Sequence, residues 1–280
     1  MGLPLLLHAV RDAADLGYNF LDVGGADPLR DPALPVLCRE AHRHGMLTST
    51  VTRSAALTAP GLEWLRFSID LLGVKSPCSG AAGNRLAAVR ASGIPFAIVV
   101  RLTSAGLPSL ESAVEFAVAQ GAALLQLRPS GKFTSEQTVR AWMMVERLRD
   151  LQRGKLVIHL DAVNRYCLPM EPEGLASWKR DVEREARYLG QIVSPLVIEQ
   201  DGTVTPLRHG FPRRFAFGNL REERLAGMAG RWIASQAGAF CEIYRTVLEK
   251  ARASDRMLSD LHRMLALEAG RGGRGMPAAG

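Results

Sequence analysis

GYNFLDVGGADPLRDPALPVLCREAHRHGMLTSTVTR, residues 17–53, carries the order of elements from which the fold follows. A short apolar strand at 19–23 runs into the double glycine Gly24-Gly25. A Pro-Leu turn and a helical run at 33–44 come next, and a second strand at 47–52 follows Gly45 at once. Gly17 and Gly45 each stand just past a helical run, where glycine takes the left-handed conformation most easily. Helix, glycine, strand and turn make one β/α unit.

The unit recurs outward from this stretch. Apolar, β-branched runs at 65–70, 96–102, 124–128 and 156–160 predict further strands. Helical patterns at 5–16, 84–92, 107–120 and 135–153 fit between them. Gly93, Gly121 and Gly154 repeat the joint, so five helix–glycine–strand joints predict an α/β chain with a parallel sheet. In any such sheet the working face lies at the carboxyl ends of the strands. Those ends read Gly24–Asp27, Thr50–Arg53, Ser68–Asp70, Arg101–Thr103, Gln126–Pro129 and His159–Asp161.

Past Asp161 the pattern changes. A charged amphipathic helix is expected at 175–189. SPLVIEQDGTVTPLRHGF, 194–211, then reads as two extended segments around Asp201-Gly202, a strong hairpin signal. Phe217-Gly218-Asn219-Leu220 closes that module. A helical tail over 221–268 carries Trp232, Phe240, Ile243, Leu248 and Leu258 at near-helical spacing, which suits core packing. The last stretch, 269–280, is expected to be disordered.

Composition narrows the classes of function. The 280 residues are 47% hydrophobic and 22% charged, ordinary for a globular protein with a core of its own. The opening MGLPLLLHAV has no basic leader and contains Pro4, which argues against export or a membrane span and for a cytoplasmic chain. Net charge is +7, but the basic residues are 5 Lys and 30 Arg scattered among acids, as in KRDVEREAR at 179–187. With only 6% aromatic residues for base stacking, nucleic-acid binding is not expected. Cys38, Cys78, Cys167 and Cys241 lack the short spacing of a zinc or cluster loop. Cys38 and His42, four apart on one helix, could share a metal, though a core thiol beside a helix-end imidazole is the simpler reading.

The segment after the first strand resembles the GGEPLL stretch of the radical SAM superfamily, which cradles the methionine end of S-adenosylmethionine. FSID at 67–70 resembles that family's SLDG segment. TVTRSAALT at 50–58 resembles its TTNG-type segment, with Arg53-Ser54 in place of Asn-Gly. Residues 93–131 resemble its fifth and sixth units, and the similarity extends over about 5–131. PLVIEQDGTVTPL followed by FGNL resembles the appended auxiliary-cluster (SPASM or twitch) module, with Leu207 where that pattern has a cysteine.

The resemblance implies an incomplete (β/α) TIM-like barrel over 1–170, a linker helix and β-hairpin module over 171–220, and a C-terminal helical segment over 221–268. It also implies S-adenosylmethionine contacts from Gly24, Gly25, Asp27, Ser68, Asp70 and Gln126. Glycine there lets backbone come close to a ligand. Asp27 stands where the family has a glutamate one residue earlier. Ser68 and Asp70, two apart, would share one face of their strand. The family reaction needs a four-iron, four-sulfur cluster on three thiolates, and the CxxxCxxC motif that holds it is not in this sequence. No catalytic or metal-binding residue is therefore expected.

Three readings follow. The chain is a radical SAM protein lacking its first unit, with Met1 a miscalled or truncated start; or a non-catalytic relative that keeps a binding groove; or a cluster-free enzyme using His159 and Asp161, which share a face at a strand end. The family role would be radical modification of a peptide or small molecule. A missing first strand would leave a bare parallel edge beside 19–23, expected to be covered by the N-terminal helix, another subunit or a partner.

Overall fold

Six parallel strands lie side by side in chain order: β1 Phe20–Asp22, β2 Leu47–Thr52, β3 Leu71–Lys75, β4 Phe96–Leu102, β5 Leu124–Pro129 and β6 Val157–Leu160. An open doubly wound sheet would reverse its order at a switch point. This one never reverses, and it curls into half a barrel. The computed structural model describes residues 1–25, 27–52, 57–58, 62–75, 83–166, 168–259 and 261–271. The helices of this half are α1 Leu3–Asp15, α2 Leu34–Arg43, α3 Gly83–Ser92, α4 Leu110–Ala119 and α5 Ser135–Leu151. All five joint glycines have positive φ, from 71° at Gly93 to 85° at Gly17. Among the described residues β1 pairs only with β2.

Alternation along each strand sorts the side chains. Leu72, Val74, Phe96, Ile98, Leu125, Leu127, Ile158 and Leu160 share one core with Leu86 of α3, Val114 of α4 and Val145 of α5. Their neighbours along the strands, two by two, face the concave side of the half-barrel.

A second core holds the rest of the chain together. β8 Leu196–Ile198, β9 Thr203–Pro206 and β10 Gly218–Asn219 form a small antiparallel sheet, turning at Asp201-Gly202 as the sequence predicts. Phe211 and Phe215 pack on Phe240 of α7 (Leu225–Arg252) and Phe217 stacks on its Trp232, and Trp178 of α6 (Gly174–Arg184) belongs to the same cluster. Val10 of α1 and Leu37 of α2 enter the same cluster, which binds the module to the first half of the barrel. No helix among the described residues is long and apolar enough to cross a membrane.

Four expectations need correction. Residues 65–70 are not a strand: a helical turn occupies this stretch, and Leu65 and Ile69 are buried four apart while Phe67 is 84% exposed. The strand begins only at Leu71. The helix expected to reach 189 ends at Arg184, where Glu185 turns extended (φ −143°, ψ 113°), and a 3-10 segment follows. The tail is not one helix. After α7 the chain returns as β11 Leu258–Ser259, antiparallel to β7 Ala162–Val163, so Leu258 belongs to a strand. The disorder expected from 269 does not begin there, because α8 runs over Leu261–Arg271; residues 272–280 lie outside the described residues.

Glu199 ties the module's loops together. Its carboxylate, 3% exposed, accepts from Gly210 N at 2.9 Å and Arg213 Nη2 at 2.7 Å, with Thr205 Oγ1 at 3.3 Å. Burial works against its charge most strongly. The Gly210 N–H and the Arg213 and His209 charges outweigh that penalty and hold the carboxyl below its ordinary 4.5. A depressed carboxyl adds stability above its ordinary pKa and loses it as pH falls through the folded value. Glu199→Gln is therefore expected to cost about 1.5–3 kcal/mol at neutral pH. In urea titrations the gap from the parent should narrow progressively as the pH drops below about 4; an equal gap at pH 7 and pH 3 would refute this.

Candidate functional site

Polar side chains converge on the concave face of the half-barrel. Parallel register sets its layers. Lys75, Val99, Gln126 and His159 lie in one row across β3–β6, and Arg101, Arg128 and Asp161 lie in the row nearer the carboxyl ends. Arg128 Nη2 donates to Gln126 Oε1 at 3.2 Å, and its Nε stands 3.7 Å from Asp161 Oδ2. Towards the amino ends the same face turns apolar: Phe20, Leu47 and Val157 are 47%, 57% and 64% exposed. Gly73 sits on this face because a Cβ there would come within 2.9 Å of Val51 Cγ2. The result is a trough with an apolar floor and a polar upper wall.

Gly24 and Gly25 follow β1 at the carboxyl end, as expected. A Cβ built on either meets nothing within 4 Å among the described residues. Gly25 has φ +155°, which an L residue rarely adopts. Two hydroxyls missed by the sequence reading fix this end of the edge strand. Ser49 Oγ donates to Asp22 Oδ1 at 2.6 Å, and Thr50 Oγ1 donates to the Val23 carbonyl at 2.7 Å. The polar alternation of TSTVT was the available signal. Asp27 lies beside the glycines, but its carboxylate pairs with Arg30 Nε at 3.0 Å on its own turn. Ala26, Arg53, Ser54, Cys78 and Cys167 lie outside the described residues.

Ser68 and Asp70 go elsewhere. Both precede β3, so they stand at the amino edge of the sheet, opposite the glycine loop, and share no strand face. Asp70 Oδ2 accepts from Thr48 N at 2.7 Å and Thr48 Oγ1 at 2.9 Å, and lies 2.9 Å from His42 Nε2. Thr48 Oγ1 also approaches the Ser68 carbonyl at 3.0 Å. Burial opposes the Asp70 charge, but the His42 and Thr48 hydrogen bonds outweigh it and lower its pKa. This network splices α2, β2 and the turn before β3. His42 thus partners Asp70 and Thr48 through Nε2, while Cys38 is buried and its thiol is pushed up to about 11 by that burial.

Of the six ligand contacts implied by the resemblance, Gly24, Gly25 and Asp27 form one loop. Gln126 faces the trough, and Ser68 and Asp70 join a separate structural cluster. His159 and Asp161 do share the concave face. Asp161 turns to Arg128 rather than to the imidazole. Arg101 and Arg128 were visible in VVRL and QLRP as the inward members of alternating strands, yet they read only as strand ends.

Thiolates are the missing donors. Cys38 lies in the core behind the sheet and Cys241 in the core of α7, so neither described cysteine faces the trough. Among the described residues no three His, Cys, Asp or Glu side chains gather as a metal site. The cysteines of this sequence lie dozens of residues apart and do not fit a three-thiolate cluster.

No protein-family model matches the chain. In an alignment of 218 positions that covers 71% of this chain, it is 30% identical to the PqqA peptide cyclase of Ruegeria pomeroyi, and it spans 57% of that protein. Its fold resembles Streptococcus suis SuiB bound to the precursor peptide SuiA (TM-score 0.60, 12% identity, 94% of this chain and 69% of that one). It also resembles anSMEcpe with bound AdoMet (TM-score 0.56, 12% identity, 96% and 86%).

Proposed function

Because the chain is a relative of the radical SAM superfamily, we propose that its half-barrel is a peptide-binding trough whose own residues do not build the iron–sulfur cluster. One observation carries this reading. The concave face pairs an exposed apolar floor (Phe20, Leu47, Val157) with a polar wall (Gln126, Arg128, His159, Asp161), and no described cysteine reaches it. Extended peptides need that combination: apolar surface for alternate side chains and hydrogen-bonding groups for the rest. The similar proteins support the same reading, since one is a peptide cyclase and SuiB is bound to its precursor peptide SuiA.

In the family, S-adenosylmethionine and the cluster supply the radical. Here no described residue crowds the loop at Gly24-Gly25, while Asp27 is engaged by Arg30 and Ser68 and Asp70 lie at the far edge. No reaction step is assigned to these residues.

The test is anaerobic reconstitution of the purified chain with iron and sulfide, followed by S-adenosylmethionine and dithionite. We expect no stoichiometric cluster absorbance and no 5′-deoxyadenosine. Formation of both would overturn the cluster-free reading. Retention of peptides by the immobilised chain, with loss of retention in a Val157→Glu variant that folds normally, would support the trough.

A further inference from the structure

Two arginines face each other on the wall of the trough. Arg101 of β4 and Arg128 of β5 are register partners, and both stand on the concave face because Leu102 and Leu127 point into the opposite core. Neighbouring strands are about 4.8 Å apart, so like charges in register on one face of the sheet repel each other. Asp161 in the same row offers one carboxylate for the two guanidinium groups, and it approaches Arg128 at 3.7 Å, too far for a hydrogen bond. Arg128 spends one N–H on Gln126, which also fixes its direction. Among the described residues Arg101 meets no carboxylate. Each guanidinium has five N–H donors in a planar fork that suits a carboxylate. The wall therefore carries guanidinium N–H groups without a carboxylate partner and an excess of positive charge one row beyond Gln126 and His159, at the carboxyl end of the trough.

We propose that Arg101 and Arg128 form a carboxylate-binding pair, and that the peptide taken by this trough presents an acidic side chain between them. This rests on the peptide-binding reading and adds to it the charge of one recognised residue. Gln126 acts as a positioning residue by holding the Arg128 fork. The repulsion tolerated without a ligand is relieved when the carboxylate arrives, so binding and local stability are coupled.

The experiment uses the full chain and two nonapeptide pools, identical except that the central residue is Glu in one and Gln in the other. Retention on the immobilised protein is compared by mass spectrometry at low salt. The Glu pool is expected to be enriched at least about five-fold over the Gln pool, a preference within reach of one charge-assisted contact. Arg101→Gln should erase that preference, and Arg101→Lys should restore part of it, because a point charge replaces the fork. Arg101→Gln should melt at or slightly above the parent temperature, since it removes one of two positive charges in register on neighbouring strands. A variant melting well below the parent would mean that the guanidinium serves the fold and would overturn the proposal. Equal retention of both pools would overturn the proposal and leave the peptide reading standing. No retention of either pool would remove both. If instead S-adenosylmethionine alone binds the parent and Arg101→Gln abolishes that binding, the pair serves the methionine carboxylate, and the assignment to a peptide side chain falls.

Discussion

Gly17→Ala is expected to disrupt the fold, whereas Gly45→Ala, at the same kind of joint, is expected to be tolerated. Both glycines end a helix with positive φ, 85° and 72°. An alanine pays about 1–2 kcal/mol for that conformation at either site. Their surroundings decide the rest. Among the described residues a Cβ on Gly45 meets nothing within 4 Å, but a Cβ on Gly17 would lie 1.8 Å from the Arg187 carbonyl oxygen. Backbone cannot swing away as a side chain can, so the segment after α6 would have to retreat. That segment is already fixed to the end of α1, since Gly190 N donates to the Leu16 carbonyl at 3.2 Å and Gly190 itself is closed in by Gly17. Overpacking of this kind adds about 1–3 kcal/mol or more. Against a total stability of about 5–15 kcal/mol, the Gly17 variant should show a much lower urea midpoint or fail to accumulate. The Gly45 variant should shift the midpoint only modestly. Equal shifts would mean that the contact between α1 and the 3-10 segment carries no energy.

That pair of glycines also marks what could be read from the chain and what could not. The joint at each was legible because a left-handed helix end is a local property. The close approach at Gly17 was not, since it depends on a residue 170 positions away in sequence. The same division explains the strand at β3. LRFSID alternates apolar and polar residues and mimics period two, but its apolar residues Leu65 and Ile69 are also four apart, and a helical turn buries both together. The true strand, LLGVK, was masked by Gly73, a residue that weakens a strand pattern yet is required here by Val51 on the neighbouring strand. Strands at 47–52 and 96–102 were legible to the residue because no glycine interrupts them.

The candidate site followed the same rule. Gly24, Gly25 and Gln126 reached the carboxyl half of the sheet because their strands were placed correctly. Ser68 and Asp70 were carried to the opposite edge by the error at β3. Which strand neighbours pair across the sheet is not written in any single segment, and that pairing is what sets Arg101 against Arg128.

Trp232→Ala should produce the largest loss among core substitutions, and the size of that loss bears on how the C-terminal module is held. Trp232 is 2% exposed. Its ring stacks on Phe217 with centroids 4.6 Å apart, meets Phe240 edge-on at 5.4 Å, and donates Nε1–H to the Phe215 carbonyl at 2.8 Å. Truncation to alanine removes the stack and leaves a cavity, a change that costs about 3–5 kcal/mol. Trp232→Phe keeps most of the apolar contact but strands the Phe215 carbonyl, at about 1–3 kcal/mol. Leu207 gives this comparison its meaning. It keeps a left-handed backbone (φ 66°) unusual for leucine while burying its side chain in the same core as Trp232. Aromatic packing thus joins the module to α7. Urea denaturation should accordingly rank Trp232→Ala below Trp232→Phe below the parent, with midpoints unchanged by a strong iron chelator. A parent midpoint that drops on chelation would show that metal, and not the Phe217–Trp232–Phe240 stack, holds the module to α7.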